Sequence, residues 1–227
     1  MCRIAIIDDG VNGGVFDKCK ASYTYHINRN GNIDRYINYS KKISHGTICA
    51  AIIQQYTNIE HLLYSIKIKP CNKNGNIDFL IRAIDFCVEN DIKVINLSIG
   101  STDENDKCRI YHSITNAFEK GVIVVAALSN ENITTYPASF SMVIAAKHSE
   151  KARLGLYYYK NYKNFTLGAY SKLNLRMCDG TNYISDTANS FAAAFVTAKV
   201  VQQVSGLNGQ FSLEDIKSRL IFECINS

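Results

Sequence analysis

The sequence predicts an α/β fold: a three-layer, doubly wound, mainly parallel β-sheet with helices on both faces, read as one domain over residues 1–227. Three observations carry it. Apolar runs of strand length recur along the chain, helical patterns lie between them, and no repeat or low-complexity linker breaks the alternation. With 227 residues, 47% hydrophobic and 20% charged, the chain has an ordinary globular balance. It is long enough to bury about 70% of the surface its unfolded form exposes.

The elements follow in order. Residues 4–7 form the first apolar run, and further runs cover 62–68, 94–97, 122–127 and 142–146. They are apolar on both faces and rich in β-branched residues, as strands of a parallel sheet covered on each side must be. A helix is expected over residues 45–55. A second carries Ile77, Leu80, Ile81, Ile84 and Val88 at helical spacing, with Asp78 able to cap its start. A third covers residues 110–120 and is closed by Gly121. Residues 190–204 are small and apolar on most sides, as a central buried helix would be. Ser212 and Asp215 form a capping-box signal for a last helix through Ile216 and Leu220. The two prolines, Pro70 and Pro137, fall in expected loops. The tyrosine-rich stretch 156–170 breaks the pattern and reads as short antiparallel strands and loops, with Tyr157, Tyr158 and Tyr159 as packed strand aromatics.

Composition narrows the function classes. The formal charge is +5 and no Lys/Arg block concentrates it, so neither nucleic acid nor a membrane surface is expected as a partner. Met1-Cys2-Arg3 runs straight into the first strand, and no apolar stretch approaches the ~20 residues of a membrane span. The expectation is no signal peptide and no pro-segment. The eight cysteines are scattered without a C-x-x-C pair, which argues against a zinc site and for free thiols in a reducing cytoplasm. Cys49 and Cys87 fall on apolar helix faces and read as buried thiols.

Four short segments carry the chemistry: Ile7-Asp8-Asp9-Gly10, His45-Gly46-Thr47, Ser129-Asn130-Glu131 and Asn189-Ser190-Phe191-Ala192-Ala193. Each sits where a strand ends or a helix begins. A serine hydroxyl needs a base to remove its proton, and that base needs an acid to orient it. Asp8 ends the first strand, where functional groups of an open parallel sheet collect. A turn or capping aspartate is an equal reading of Asp8 taken alone; Asp9 competes for the same role, but the residue directly at the strand end is favoured. His45 opens a helix, an end that disfavours a permanent positive charge and suits a base resting neutral. Ser190 opens the small-residue helix, whose N-terminal amides can stabilise a developing oxyanion; its plainer role is an N-cap. Asn130 follows a buried strand and could donate its amide to the same oxyanion, or simply form a turn. Glu131 near the pocket is read either as a selector for basic side chains or as a structural carboxylate. Together the four segments offer the acid, base, amide donor and nucleophile of a serine hydrolase.

In the order Asp, His, Asn, Ser, these residues resemble the subtilisin-like serine proteases, the subtilases. Ile6-Ile7-Asp8-Asp9-Gly10 is similar to that family's Asp motif and His45-Gly46-Thr47 to its His motif. Ala188-Asn189-Ser190-Phe191-Ala192 stands in place of Gly-Thr-Ser-Met-Ala. Residues 63–68, 94–100, 124–127 and 136–138 also look like subtilase blocks, and the likeness is weak over 147–187.

The resemblance implies a serine endopeptidase in which Asp8 orients His45, His45 deprotonates Ser190, and Asn130 with the Ser190 amide holds the oxyanion. It also implies a peptide or protein substrate lying as an added strand between Gly75-Asn76-Ile77 and Ser98-Ile99-Gly100, with Ala127-Leu128-Ser129 as the other wall of the primary specificity pocket. No cofactor and no metal are implied, and no acidic loop suggests calcium. Asn189 replaces a threonine that helps the oxyanion hole, and its amide could donate instead. Ala188 and Ser129 replace glycines, so the backbone there is expected to be constrained or the pocket narrowed. Ala194 and Phe195 replace Pro-His, which should alter the central helix more than the chemistry.

Small size without an export signal suggests limited processing of a peptide precursor, such as leader-peptide removal, in the cytoplasm. A catalytically idle binding module and an acyl-transferring ligase are the competing readings. A nucleotide-binding domain, suggested by the first strand and its glycines, is discounted because Gly10, Gly13 and Gly14 miss the G-x-G-x-x-G spacing.

Overall fold

The computed structural model describes residues 1–37, 40–68, 77–152, 155–160, 164–207 and 211–226. Its elements run β1 (Cys2–Asp8), β2 (Tyr23–Ile27), β3 (Ile33–Arg35), α1 (His45–Tyr56), β4 (His61–Lys67), α2 (Ile77–Glu89), β5 (Val94–Leu97) and α3 (Glu104–Glu119). They continue with β6 (Ile123–Ala127), β7 (Val143–His148), β8 (Leu156–Tyr158), β9 (Thr166–Ala169), β10 (Asn174–Arg176), β11 (Asn182–Ile184), α4 (Asn189–Ser205) and α5 (Leu213–Asn226).

Nine strands form one sheet in the order β3-β2-β4-β1-β5-β6-β7-β9-β8. Among the described residues the seven inner strands of this sheet are parallel and its edge pairs β2–β3 and β8–β9 are antiparallel, while β10 and β11 form a separate antiparallel pair. The α/β, mainly parallel sheet read from the apolar runs is therefore the observed one. Because side chains alternate along a strand, each run feeds two cores. Ile4, Ile6, Ile123 and Val125 pack with α1, α4 and α5 on one face. Ala5, Ile7, Val124 and Ala126 pack with α2 and α3 on the other. The expected central helix is α4, where Ala192, Ala193, Ala194 and Val196 are wholly buried. Its Ala-rich surface lets it lie close against the sheet.

Several boundaries differ from the sequence reading for identifiable reasons. α3 begins at Glu104, earlier than expected, because its first turn is polar and is capped by the Asp103 carboxylate, which accepts from Asn105 N–H at 2.9 Å. β2 and β3 lack strand-length apolar runs; they form a half-buried edge hairpin that β4 supports by parallel pairing. Asp78 lies inside the first turn of α2 and pairs with the Arg109 guanidinium instead of capping the helix. The tyrosine-rich stretch supplies β8 and β9, and β9 also joins the main sheet alongside β7. There Tyr157 packs edge-on against Tyr159 and Tyr158 against Phe165. Ser212 and Asp215 form the expected reciprocal cap of α5: Ser212 N–H donates to the carboxylate at 2.9 Å and Asp215 N–H to the hydroxyl at 3.1 Å. Pro70 and Cys71 lie outside the described residues. The other seven cysteines are free thiols, with Cys49 and Cys87 fully buried as read.

β1 lies between β4 and β5, so the winding reverses there. In such a sheet, the loops beyond the carboxyl ends of the neighbouring strands part and leave a crevice. Asp8 at the end of β1, Ser98 after β5 and Leu128 after β6 all lie at that edge.

Candidate active site

The two adjacent aspartates divide their labour. Asp8 is 3% exposed and both its carboxylate oxygens face the His45 ring, at 3.0 and 2.9 Å from Nδ1. The Asp9 N–H also donates to Asp8 Oδ1 at 2.8 Å. Asp9 turns the other way and caps α1: its oxygens accept from the Gly46 N–H at 2.8 Å and the His45 N–H at 3.2 Å. Ser44 completes the cap, its Oγ accepting from Thr47 N–H. The sequence favoured Asp8, the residue at the strand end, and the structure agrees: only Asp8 points at the imidazole.

His45 Nε2 lies 2.9 Å from Ser190 Oγ. With Nδ1–H donating to Asp8, Nε2 carries the lone pair that accepts the serine proton. The hydrogen bond that His45 donates to Asp8 holds the His45 pKa above the ordinary histidine value against the opposing effect of burial, and the charges of Asp8 and Asp9 add to the rise. The helix end expected to disfavour a charged ring thus lies beside two carboxylates that favour it. Burial pushes the Asp8 carboxyl upward, while the bond and charge of His45 and the Asp9 amide pull it down.

Ser190 is the second residue of α4, not its cap. The N-cap is Ala188, which makes no side-chain capping bond. Ala188 has φ −148° and ψ 146°, an extended conformation open to any residue, so the loss of a glycine there carries no strain. Phe191 stacks on the His45 ring with centroids 5.3 Å apart and planes inclined by 26°, a buttress that sequence reasoning missed. Its position next to Ser190 was the available signal. Phe195, in place of the family's histidine, packs on Tyr56 while α4 continues unbroken.

Asn130 and Asn189 form the remaining face. Asn130 Oδ1 accepts from the Asn189 N–H at 3.1 Å, which commits the oxygen of that amide and leaves its NH2 as the donor end. The Asn189 side chain does not serve the oxyanion. Its Nδ2 donates to the Leu128 and Ser129 carbonyls at 3.0 and 2.9 Å, and its Oδ1 accepts from the His148 N–H at 2.8 Å. The expected substitute donor is thus engaged elsewhere.

A cavity of about 250 Å³ brings together His45, Ser190, Asn130, Ser98, Ile99, Gly100, Ala127, Leu128 and Ser129. Residues 98–100 and 127–129 therefore both border the nucleophile. Ile77 does not line it; it begins α2 and is buried in the core. Gly75 and Asn76 lie outside the described residues. Glu131 is exposed and lines neither this cavity nor the neighbouring one of about 550 Å³. Beneath the site, the fully buried Cys49 offers a third donor within 4.8 Å of those of Asp8 and His45. Burial pushes its thiol well up, and a neutral thiol is a poor ligand. With Asp8 and His45 bonded to each other, this cluster is an acid–base pair over an apolar floor.

A Ser–His–Asp line at the carboxyl edge of a doubly wound parallel sheet defines an α/β protein built like the serine hydrolases. The family model for the subtilases matches residues 2–223, and the chain belongs to that family. Among curated relatives, the minor extracellular protease Epr of Bacillus subtilis (strain 168) is 29% identical over 155 residues, which are 63% of this chain and 22% of Epr. The chain thus spans under a quarter of that relative's length. Among solved structures, a cold-adapted subtilisin-like serine proteinase superposes with a TM-score of 0.70 at 18% identity, covering 96% of this chain and 80% of that one. The epidermin leader peptide processing serine protease EpiP of Staphylococcus aureus gives 0.68 at 16% identity, covering 97% and 68%. At these identities the solved structures share the fold.

Proposed function

We propose that the chain is a serine endopeptidase acting through an acyl-enzyme on Ser190. The observation that carries this is the single imidazole bonded on both sides, to Asp8 at 2.9 Å and to Ser190 at 2.9 Å. In this reading His45 Nε2 takes the Ser190 proton as Oγ attacks a peptide carbonyl. Asp8 holds the tautomer and stabilises the imidazolium. The Asn130 NH2 and the Ser190 N–H receive the oxyanion, aided by the N-terminus of α4. The imidazolium then protonates the leaving amine, and water, deprotonated by the same ring, releases the acyl group. The substrate lies extended along Ser98-Ile99-Gly100, with the side chain before the cut entering beside Ala127-Leu128-Ser129.

The test is intact-mass analysis after a fluorophosphonate probe. One adduct on the wild type that is absent from Ser190→Ala is the expected result; no adduct on folded protein, or one that persists in the variant, overturns the reading.

We further propose limited processing of a peptide precursor in a reducing compartment. The likeness in fold to a leader-processing protease, the small slot and the free thiols support it. Incubation with unstructured casein should give few products. Broad degradation would contradict limited processing while leaving the protease assignment intact.

A further inference from the structure

In a parallel pair, a residue donates to one carbonyl of its neighbour strand and accepts from the amide two residues further along. β6 and β7 keep that pattern to Ala127, paired with Ala146, and the Leu128 N–H still donates to the Ala146 carbonyl at 2.9 Å. The next rung would join the His148 N–H to the Leu128 carbonyl. Instead, the His148 N–H donates to Asn189 Oδ1 at 2.8 Å, and Asn189 Nδ2 donates to the Leu128 carbonyl at 3.0 Å. A side-chain amide from α4 stands in the ladder where a direct backbone bond belongs. Its second amide proton holds the Ser129 carbonyl at 2.9 Å. The orientation is dictated by chemistry, since the reversed amide would set oxygen against two carbonyls and nitrogen against an N–H.

We propose that Asn189 is a positioning residue: its amide is a wedge between β6 and β7 that sets the placing of the Leu128–Ser129 wall, and so which side chains the site accepts before the cut. The proposal rests on the endopeptidase reading for its kinetic consequence. Two further features agree with it. The cavity of about 550 Å³ opens where the strands part, lined by Leu128 and Ser129 on one side, Lys147 on the other and Asn189 itself. The bond to Asn130 Oδ1 comes from the Asn189 backbone N–H, so replacing the side chain disturbs the wall and leaves the amide beside the nucleophile held. A threonine, which the family resemblance places here, has a single hydroxyl proton and cannot serve two carbonyls.

The test uses the full chain with Asn189→Ala, Asn189→Asp and Asn189→Thr, and two readouts. One is the second-order rate of reaction with a small fluorophosphonate, which needs Ser190 and His45 but not the wall. The other is kcat and KM for peptides differing only in the residue before the cut. In Asn189→Ala, leaving the wall carbonyls unpaired should lower kcat/KM about 10- to 100-fold, chiefly through KM and with a changed order of preference. The fluorophosphonate rate should stay within about threefold of wild type. Asn189→Asp, isosteric but without donors, should behave as the alanine variant, and Asn189→Thr should lie between. Equal losses in both readouts would assign Asn189 to the oxyanion and overturn the proposal, as would an unchanged order of preference. Should Asn189→Ala fail to fold, the contrast between the aspartate and threonine variants decides in the same way. If wild-type protein takes no fluorophosphonate, the endopeptidase reading fails, and the wedge is tested by a crystal structure of Asn189→Thr. Closure of β6 on β7 through a direct His148-to-Leu128 bond would support it; unchanged strand separation would overturn it.

Discussion

At the scale of single residues, the site is governed by how Asp8 and His45 share a proton. Asp8 is shielded from water while the His45 side chain is 39% exposed, so the carboxylate acts on the imidazole through a short, poorly screened contact. The His45 pKa is raised above its ordinary value, and only the neutral ring can take the Ser190 proton. Activity should therefore fall as pH drops through that raised value, placing the acid limb of kcat/KM above the ordinary histidine pKa of about 6.5. Stability carries the opposite sign. The contribution from protonated His45 is present below the unfolded-state value and disappears as pH rises through the folded one. Asp8→Asn removes the charge that favours imidazolium, so the acid limb should move down while kcat falls roughly 10⁴-fold, as when the acid of a Ser-His-Asp triad becomes an amide. A pH–rate profile of both proteins checks this; an unmoved limb would mean that another group titrates there.

At the scale of elements, the walls of the slot depend on loops held at close quarters. Ser101 and Tyr136 exchange backbone bonds, Ser101 N–H to the Tyr136 carbonyl at 2.9 Å and Tyr136 N–H to the Ser101 carbonyl at 2.8 Å. A Cβ on the preceding Gly100 would stand 2.4 Å from that same Tyr136 carbonyl. The glycine is required by this approach of two main chains. Gly100→Ala must push the segments apart, at a cost of about 1–3 kcal/mol, and displace the edge on which the substrate strand is proposed to lie. Peptide kcat/KM should fall at least about tenfold, with a lower midpoint in urea. Full activity on peptides would show that the substrate does not use this edge.

At the scale of the molecule, the sheet and α4 are tied through a buried polar contact. Asn96 on β5 donates from Nδ2 to Thr197 Oγ1 at 2.9 Å, and the Thr197 hydroxyl donates to the Ala193 carbonyl at 2.8 Å. Both residues are fully buried. Thr197→Val keeps the shape but strands the Asn96 donor, a loss of about 1–3 kcal/mol. For a chain of this size that corresponds to a thermal midpoint roughly 2–12 °C lower. The substituted atoms lie within α4, away from the slot, so kcat at 25 °C should be retained in the folded variant. Calorimetry beside a peptide assay separates the two effects, and an unchanged midpoint would show that the contact adds nothing to the join between layers.

The sequence by itself determined the sheet and the acid, base and nucleophile. The apolar runs report burial on both faces, and Asp8, His45 and Ser190 each stand at an element boundary that periodicity locates to within a residue or two. It favoured Asp8 over Asp9 by its place at the strand end, but the second role, Asp9 capping α1, turns on which way each side chain leaves the end of β1. It did not show β2 and β3, whose edge position and half-buried tyrosines leave no apolar run. Nor did it show the true business of Asn189, whose partners Leu128, Ser129 and His148 lie 41 or more positions away in the chain. Only the tertiary structure brings the end of β6, the end of β7 and the start of α4 together, and a side-chain amide bonds to whichever backbone groups packing sets beside it.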